Sequence, residues 1–433
     1  MNYDWIIFLI FIAVVAVIER KNFKREGIAF LRRTDKGIEV LKNFAKKHHK
    51  VINLLADFAI VLSIGFLAIK DVKNKRQYVA YVLAFYLFFV QLDMIYQGLN
   101  SMFQGITIPY FLIIFSFVMS FLFGVSGYGL SLLISGSVAI LLSKLTQHTI
   151  ANSPLQLVLP ISLPESYNLP IFTVPFDKWI ISLAVIVVVH ELAHAVVALA
   201  NGIKVKSLGY GLFAIMPVGF AEPDEKQLQK APRLKKLRVY AAGSFANFLT
   251  ATLFGVLLFL MMHASSWLNI YSFEGISYSY VFNTSHAYGI IPQNGTITAI
   301  DNQTLHNFSQ FINYLSSKHP NDTIFLTIDN KTYEVMLTSS PENSSQAFIG
   351  IGGVMPLYSL KSMWFYPLVY LADLFKWIFI LNLGIGIANL LPLVPFDGGL
   401  MVKEYIRKKK MQKIFFGMVL FLLLFSLFGR YVI

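Results

Sequence analysis

Three ionisable residues with the spacing of a metal-dependent hydrolytic site, His190, Glu191 and His194, lie in the apolar run 178–200. Histidines four residues apart lie one above the other on one helix face, which is the spacing two imidazoles need to share one zinc ion. Glu191 follows the first histidine and can reach a metal-bound water as general base. A charged side chain at mid-bilayer costs about 3 kcal/mol, and a bound dication would offset that cost. The pattern therefore predicts a metal site.

A catalytic zinc needs a third protein ligand and an open position for water. The chain has no cysteine, so this ligand must be a histidine or an acidic residue. The aspartates in or beside apolar runs are Asp57, Asp93, Asp373 and Asp397. Asp397 alone follows a helix-breaking sequence, "NLLPLVPFDGG" at 389–399, whose prolines and glycines can turn a carboxylate back into a helix bundle. We predict Asp397 as the third ligand.

The composition identifies the environment of this site. Of the 433 residues 56% are hydrophobic and 14% are charged, which excludes an ordinary soluble domain and indicates a polytopic α-helical membrane protein. The net charge of +13 comes from Lys and Arg clustered beside apolar segments, as in positive-inside topology signals. The chain has no nucleic-acid-binding motif. We therefore expect a lipid bilayer as a partner and no nucleic acid.

The apolar runs predict about eight or nine spans, because the run at 108–145 is long enough for two helices broken near "GVSGYG". The runs lie at about 4–18, 51–69, 79–97, 108–145, 178–200, 239–263, 365–394 and 414–430. Residues 1–150 form an N-terminal transmembrane region, in which 4–18 is predicted to be a retained anchor. The basic stretch 19–50 is predicted to be a helix lying on an anionic membrane surface.

A small α+β domain is predicted at 270–354, between two apolar runs. Alternating patterns in "GTITAI" and "TIFLTI" predict strands, "TLHNFSQFINYLSS" predicts an amphipathic helix, and "DNKTYEV" predicts a hairpin that turns at Asp329-Asn330. The order of these elements resembles a PDZ domain.

The domain also indicates an orientation. N-x-[ST] sequons begin at Asn283, Asn294, Asn302, Asn307, Asn321, Asn330 and Asn343. Their restriction to one domain predicts an extracytoplasmic face. The basic segments 226–238 and 403–413 each lie one span away, as cytoplasmic loops would. We therefore expect the active site toward the cytoplasmic side of a cell membrane, with the PDZ-like domain outside.

The chain resembles the site-2 protease family of intramembrane zinc metalloproteases. The resemblance rests on "HELAH" at 190–194, on "GSFAN" at 243–247, which matches the G-x-x-x-N motif, and on 389–399, which matches the N-x-x-P and Leu-Asp-Gly motif with Phe396 in place of Leu. It covers about 178–430 and includes the PDZ-like insert, and the segments 30–50 and 221–247 resemble archaeal members in particular. The catalytic membrane core would comprise 178–265, with a cytoplasmic-side loop at 201–238, and 364–430.

The resemblance implies further roles. Asn247 carries an amide donor for the substrate carbonyl or the developing oxyanion, or else makes a hydrogen bond between helices. Asn389 would do the same or cap the helix break. The segment 203–225 would be a membrane-dipping hairpin whose edge pairs with an unwound substrate helix, with a plain loop as the alternative. The PDZ-like domain would contact peptides or act as a size filter.

These observations predict an endopeptidase that cleaves transmembrane protein substrates, with one zinc ion per chain held by His190, His194 and Asp397 and with Glu191 as general base. One alternative is another membrane zinc peptidase with a downstream Glu as third ligand. A second is a non-catalytic scaffold or transporter in which His190 and Glu191 form a proton relay.

Overall fold

The computed structural model describes residues 4–72, 110–145, 156–160, 171–213, 216–340 and 343–432. The chain forms two compact units: Met1–Val256 together with Leu374–Ile433, and Leu257–Asp373. We refer to the first as the helical unit and to the second as the inserted unit.

Ten α-helices occur in the described residues. They are α1 (Asp4–Ile18), α2 (Ile38–Ile64), α3 (Tyr110–Leu145), α4 (Phe176–Ala200), α5 (Glu225–Lys230), α6 (Arg233–Trp267), α7 (Phe308–Ser316), α8 (Tyr366–Asn389), α9 (Asp397–Lys403) and α10 (Lys409–Val432). Because α2, α3, α4, α6, α8 and α10 are long and apolar enough to cross a bilayer, the described residues contain six candidate spans. The chain is therefore a membrane protein with several spanning helices.

The predicted count of eight or nine spans stays a prediction. The apolar run at 79–97, with Asp93, lies outside the described residues. The run at 4–18 forms α1, whose 15 residues are fewer than the about 20 that a spanning helix needs.

The predicted break in the run at 108–145 is confirmed. Helix α3 is interrupted at Gly124, which has a φ of 59°. A Cβ on this residue would lie 2.4 Å from the carbonyl oxygen of Leu62 in α2, and one on Gly65 would lie 2.4 Å from the Gly124 nitrogen. The two glycines therefore allow the backbones of α2 and α3 to meet where α3 breaks.

The surface helix predicted over 19–50 is wrong for its first half. The chain forms strands β1 (Lys24–Glu26) and β2 (Ala29–Thr34) there, and α2 begins only at Ile38. Strand β2 pairs with β5 (Val205–Phe213), which pairs with β6 (Met216–Pro223). The short strands β3 (Leu157–Leu159) and β4 (Ile171–Thr173) pair with each other.

The segment forms β1 and β2 instead of a surface helix because its basic residues have acidic partners. Arg32 binds Glu19 at 2.6 Å, and Arg33 binds Glu26 at 2.5 Å. These side chains therefore bind the end of α1 and the neighbouring strand β1, and they do not form the basic face of a helix. The sheet order β1-β2-β5-β6 also shows that 203–225 is a hairpin and not a plain loop, with β6 at the edge.

Three basic residues in the first turns of α6 are paired with acids from other segments. The pairs are Arg233 with Asp71 (2.7 Å), Lys236 with Glu404 (3.1 Å) and Arg238 with Asp57 (2.7 Å). Arg238 contacts both carboxylate oxygens of Asp57, whose side chain is buried. Removing one partner of a buried pair costs about 3–5 kcal/mol. Helix α2 is therefore fixed against α6, which carries "GSFAN".

The inserted unit contains the predicted strands, helix and hairpin. Its strands are β7 (Tyr271–Tyr278), β8 (Tyr280–Val281), β9 (Gly295–Ile300), β10 (Gln303–Thr304), β11 (Thr323–Ile328), β12 (Lys331–Met336), β13 (Thr338–Ser339), β14 (Ala347–Phe348), β15 (Ile351–Gly352) and β16 (Met355–Leu360). The main sheet has the order β12-β11-β9-β7-β16. Since β16 pairs with β7 along its length, the predicted range 270–354 stops one strand too early.

The hairpin turn explains part of the sequon pattern. Asp329 and Asn330 have φ values of 46° and 67°, as a two-residue hairpin turn requires. Asn302 and Asn321 also have positive φ, and Asn307 caps α7 by accepting a hydrogen bond from the Gln310 backbone. Four of the seven sequon asparagines thus have a conformational reason to be asparagine, although all seven are exposed.

Candidate metal centre

Helix α4 carries the first two predicted ligands in a well-defined position. It ends at Ala200, where Gly202 adopts a φ of 79° and the Ile203 nitrogen donates to the Ala198 carbonyl at 2.9 Å. This is a Schellman termination, in which glycine is the favoured residue at the left-handed position. The end of α4 is therefore fixed within two turns of His194.

The three predicted ligands meet. His190 Nε2 and His194 Nε2 are 3.1 Å apart, and Asp397 Oδ2 lies 3.4 Å from the first and 3.5 Å from the second. Among the described residues these three form the one group of at least three His, Cys, Asp or Glu side chains that can converge on an ion. Within the described part of the chain, no glutamate belongs to this group. The spacing prediction for α4 and the choice of Asp397 agree with this geometry, and their roles as ligands stay predictions.

Asp397 reaches the histidines because α8 stops at Asn389 and α9 starts at Asp397. A Cβ on Gly398 would lie 2.1 Å from the Leu390 carbonyl oxygen, and one on Gly399 would lie 2.2 Å from the Leu393 carbonyl carbon. The two glycines of "PFDGG" therefore let α9 pack directly on the connecting loop. This packing brings the carboxylate back to α4, and Ser244 Oγ donates to it at 3.4 Å.

Helix α6 leaves room for the two imidazoles at Gly243. A Cβ on this residue would lie 2.4 Å from His194 Nε2 and 2.5 Å from both Cε1 and Nε2 of His190. Any side chain there would occupy the space beside the two donor nitrogens. The first position of "GSFAN" is therefore a cradle for the histidine pair.

The other ring nitrogens of the histidines contact α6. His194 Nδ1 lies 2.7 Å from the Val239 carbonyl oxygen, to which only an N–H can donate. This contact fixes the His194 tautomer and leaves the Nε2 lone pair facing Asp397. Asn247 is fully buried, and its Nδ2 lies 3.1 Å from His190 Nδ1.

The residues present fit a divalent metal. Two imidazole nitrogens and one carboxylate oxygen are the donor set of many catalytic zinc sites. Ligand atoms at about 2.0–2.1 Å from one tetrahedral ion lie roughly 3.4 Å from one another, close to the observed 3.1–3.5 Å. The space at Gly243 and the oriented His194 ring support the same assignment.

Glu191 lies on α4 beside the edge strand of the sheet. Its Oε2 accepts a hydrogen bond from the Ala221 backbone nitrogen in β6 at 2.7 Å. Strand β6 can lie this close because Gly219 has no side chain; a Cβ there would be 2.2 Å from Val187 Cγ1. The backbone of β6 thus orients the predicted general base.

The two predicted amide donors differ in their surroundings. Asn247 contacts His190, whereas Asn389, the last residue of α8, is half-buried and its side chain makes no hydrogen bond within the described residues.

Sequence reasoning missed the Val239 carbonyl and the Ala221 N–H, because backbone groups carry no sequence signal. It also missed Ser244, whose only signal was its place in "GSFAN".

A family model describes the same region. The model of peptidase family M50 matches residues 178–428, which is more than half of the chain. A protein of Arabidopsis thaliana named membrane-bound transcription factor site-2 protease homolog is 28% identical over 153 residues, covering 34% of this chain and 30% of that protein. An uncharacterized protein of Methanocaldococcus jannaschii is 25% identical over 235 residues, covering 52% of this chain and 56% of that protein. The matched part of the chain therefore spans 30% of the first relative's length and 56% of the second's.

Solved structures similar to part of the chain include two PDZ domains. The PDZ domain of the SdrC-like protein from Listeria monocytogenes is 21% identical, with 19% of this chain and 90% of that chain covered and a TM-score of 0.18. The corresponding domain from Listeria innocua is 27% identical, with 20% and 99% covered and a TM-score of 0.17. On the extent of the family match, which includes all three predicted ligands and Glu191, this chain belongs to peptidase family M50.

Proposed function

We propose that the chain is an intramembrane zinc endopeptidase that hydrolyses peptide bonds in or near transmembrane segments of other proteins, as in regulated intramembrane proteolysis. One observation carries this proposal. The ligand atoms of His190, His194 and Asp397 converge beside Glu191, and α4, which bears three of these residues, is long and apolar enough to cross a bilayer.

His190, His194 and Asp397 would hold the zinc ion, which when bound supplies Lewis-acid chemistry for the attack of water on a peptide carbonyl. Glu191 accepts the proton of the attacking water and later donates it to the leaving amine. The Ala221 N–H holds one carboxylate oxygen at 2.7 Å, so that the other is free for the proton. Asn389 remains a candidate amide donor to the developing oxyanion.

Strand β6 is the proposed docking strand for substrate. A transmembrane helix hides its peptide bonds, so it must unwind before hydrolysis, and an unwound segment can pair with an exposed strand edge. Strand β6 is an edge strand of its sheet and contacts the general base through Ala221. A substrate strand added there would lie beside Glu191.

The proposed orientation has the inserted unit outside the cell and the active site toward the cytoplasm. The exposed sequon asparagines and the basic segments at 226–238 and 403–413 support it. Trp267 at the end of α6 and Trp364 before α8 are 85% and 91% exposed, as residues at a membrane–water interface would be.

Reconstitution tests the proposal. Purified protein in liposomes is mixed with a single-span substrate, and the products are mapped by mass spectrometry before and after treatment with a chelator. We expect a cut within or next to the apolar segment, its loss on metal removal and its return with zinc. Cleavage only in soluble regions, or a rate indifferent to chelation, would exclude the proposal. A scaffold or proton-relay transporter predicts a protein without bound metal.

The inserted unit is proposed to act as a size filter that admits substrates whose outer domain has already been trimmed. Deleting 271–360 removes β7 and β16 together, and a short Gly-Ser linker can join Ile270 to Lys361 because the Lys361 nitrogen already donates to the Ile270 carbonyl at 2.9 Å. We expect the deletion variant to cleave the full-length substrate at a rate approaching that of the trimmed one, because the obstacle is gone. If both rates stay at their wild-type values, the filter role is wrong.

A further inference from the structure

We infer that Asn247 is a positioning residue that sets the tautomer of His190 through its side-chain oxygen. The inference rests on the proposed function, because it assumes that His190 Nε2 faces a metal. It assigns the "GSFAN" asparagine a task at the metal and not at the substrate oxyanion.

The first argument is that the Asn247 amide has a single contact, which is with the His190 ring. Asn247 is 0% exposed, and with Nδ2 directed at His190 Nδ1 its Oδ1 has no hydrogen-bond partner. The oxygen and nitrogen of an amide are assigned from the surrounding hydrogen bonds. Rotating the amide by half a turn places Oδ1 at 3.1 Å from His190 Nδ1, where it accepts a hydrogen bond from the ring N–H. The NH2 group then takes the former place of the oxygen, so the contact with the ring decides between the two orientations.

The second argument is the direction of the His190 lone pair. With the amide nitrogen donating to Nδ1, the proton of the neutral ring sits on Nε2, the atom 3.4 Å from Asp397 Oδ2 and 3.1 Å from His194 Nε2. That proton would stand where a metal must bind. With the amide oxygen accepting from Nδ1–H, the Nε2 lone pair faces Asp397, as that of His194 already does.

The third argument is the correspondence of the two rings. His194 Nδ1 has an oxygen acceptor on α6, the Val239 carbonyl, at 2.7 Å. Asn247 lies about two helical turns after Val239 on α6, and His190 lies about one turn before His194 on α4. The two contacts therefore follow one another in opposite directions along the two helices, as in an antiparallel pair. Each ring thus has one oxygen on α6 to hold its outer nitrogen. The Gly243 carbonyl also faces the His190 ring and is the competing acceptor.

Metal affinity tests the inference without reference to turnover. The variants are Asn247→Ala, which removes the acceptor, and Asn247→Asp, which keeps an oxygen and removes the NH2. Asn382→Ala is the matched control, because Asn382 is an equally buried amide on α8 whose nitrogen bonds only its own helix, at the Ile378 carbonyl. Zinc affinity is measured by competition with a chromophoric chelator, and the ligand field by the absorption of the Co²⁺ form.

We expect Asn247→Ala to bind zinc about 10–100-fold more weakly, the usual effect of losing an outer hydrogen bond to a ligand histidine, with an altered Co²⁺ spectrum. Asn247→Asp and Asn382→Ala should bind like the wild type. Wild-type affinity in Asn247→Ala would overturn the inference in favour of the Gly243 carbonyl. Equal weakening in Asn247→Ala and Asn247→Asp would overturn it too, since the oxygen would not suffice. A wild-type protein that binds no metal would instead refute the proposed function.

Discussion

The variant Gly243→Ala should lose both metal and proteolytic activity. The added methyl carbon would lie 2.4 Å from His194 Nε2 and 2.5 Å from His190 Nε2, distances at which the rings must move apart. Since both nitrogens are predicted ligands, we expect zinc affinity to fall by more than the roughly 100-fold typical of changes outside the ligand shell. Competition with a chelator and elemental analysis of the purified protein measure the effect.

Gly384→Ala is the matched control for this substitution. Gly384 lies on α8, and a Cβ there meets nothing within 4 Å. Replacing a helical glycine with alanine is favourable by about 1 kcal/mol where space allows, so the control should fold, bind zinc and cleave like the wild type. If Gly243→Ala bound zinc as tightly as the control, the two histidines would not be the ligands.

The variant Glu191→Gln should keep its metal and lose its activity. Glutamine cannot accept the proton of water, and general-base catalysis contributes about 10²- to 10⁴-fold to the rate. Its amide oxygen can still accept the hydrogen bond that the Ala221 nitrogen donates at 2.7 Å, so the side chain should stay in place. The measurement is the cleavage rate of a single-span substrate together with the zinc content of the same preparation.

Glu222→Gln is the control for Glu191→Gln. Glu222 is an acidic residue of β6, next to Ala221, and 41% of its side chain is exposed; it pairs with Arg33 at 3.4 Å. We expect normal cleavage from this variant, because the residue lies on the sheet and not against the histidines. A Glu191→Gln protein that retained zinc and cleaved at the normal rate would contradict the proposed role of Glu191.

The parts of the candidate metal centre that depend on neighbouring residues in the sequence were predictable. The four-residue spacing of His190 and His194 places both rings on one face of any helix, and the Pro and Gly residues around Asp397 indicate a break that can turn a carboxylate inward. Both predictions depend on backbone geometry within a few residues. The hairpin at Asp329-Asn330 was predictable for the same reason.

The features that could not be predicted depend on contacts between residues that are distant in the sequence. The stretch 19–37 reads as the start of a basic surface helix, but strand β2 is held by β5, about 180 residues away. Asp57 carries no motif, and its partner Arg238 becomes adjacent only in the fold. The groups that orient His194 and Glu191 are a carbonyl and an N–H, which every residue but proline possesses.

The most direct test is the metal content of purified wild-type protein and of Asp397→Ala, measured by elemental analysis on samples of equal purity. Asp397 Oδ2 lies within 3.5 Å of both histidine nitrogens, and no other acidic side chain of the described residues joins them. We predict one zinc ion per wild-type chain and a large loss in the variant. A wild-type protein without metal, or an Asp397→Ala protein that retained its full zinc, would contradict the account.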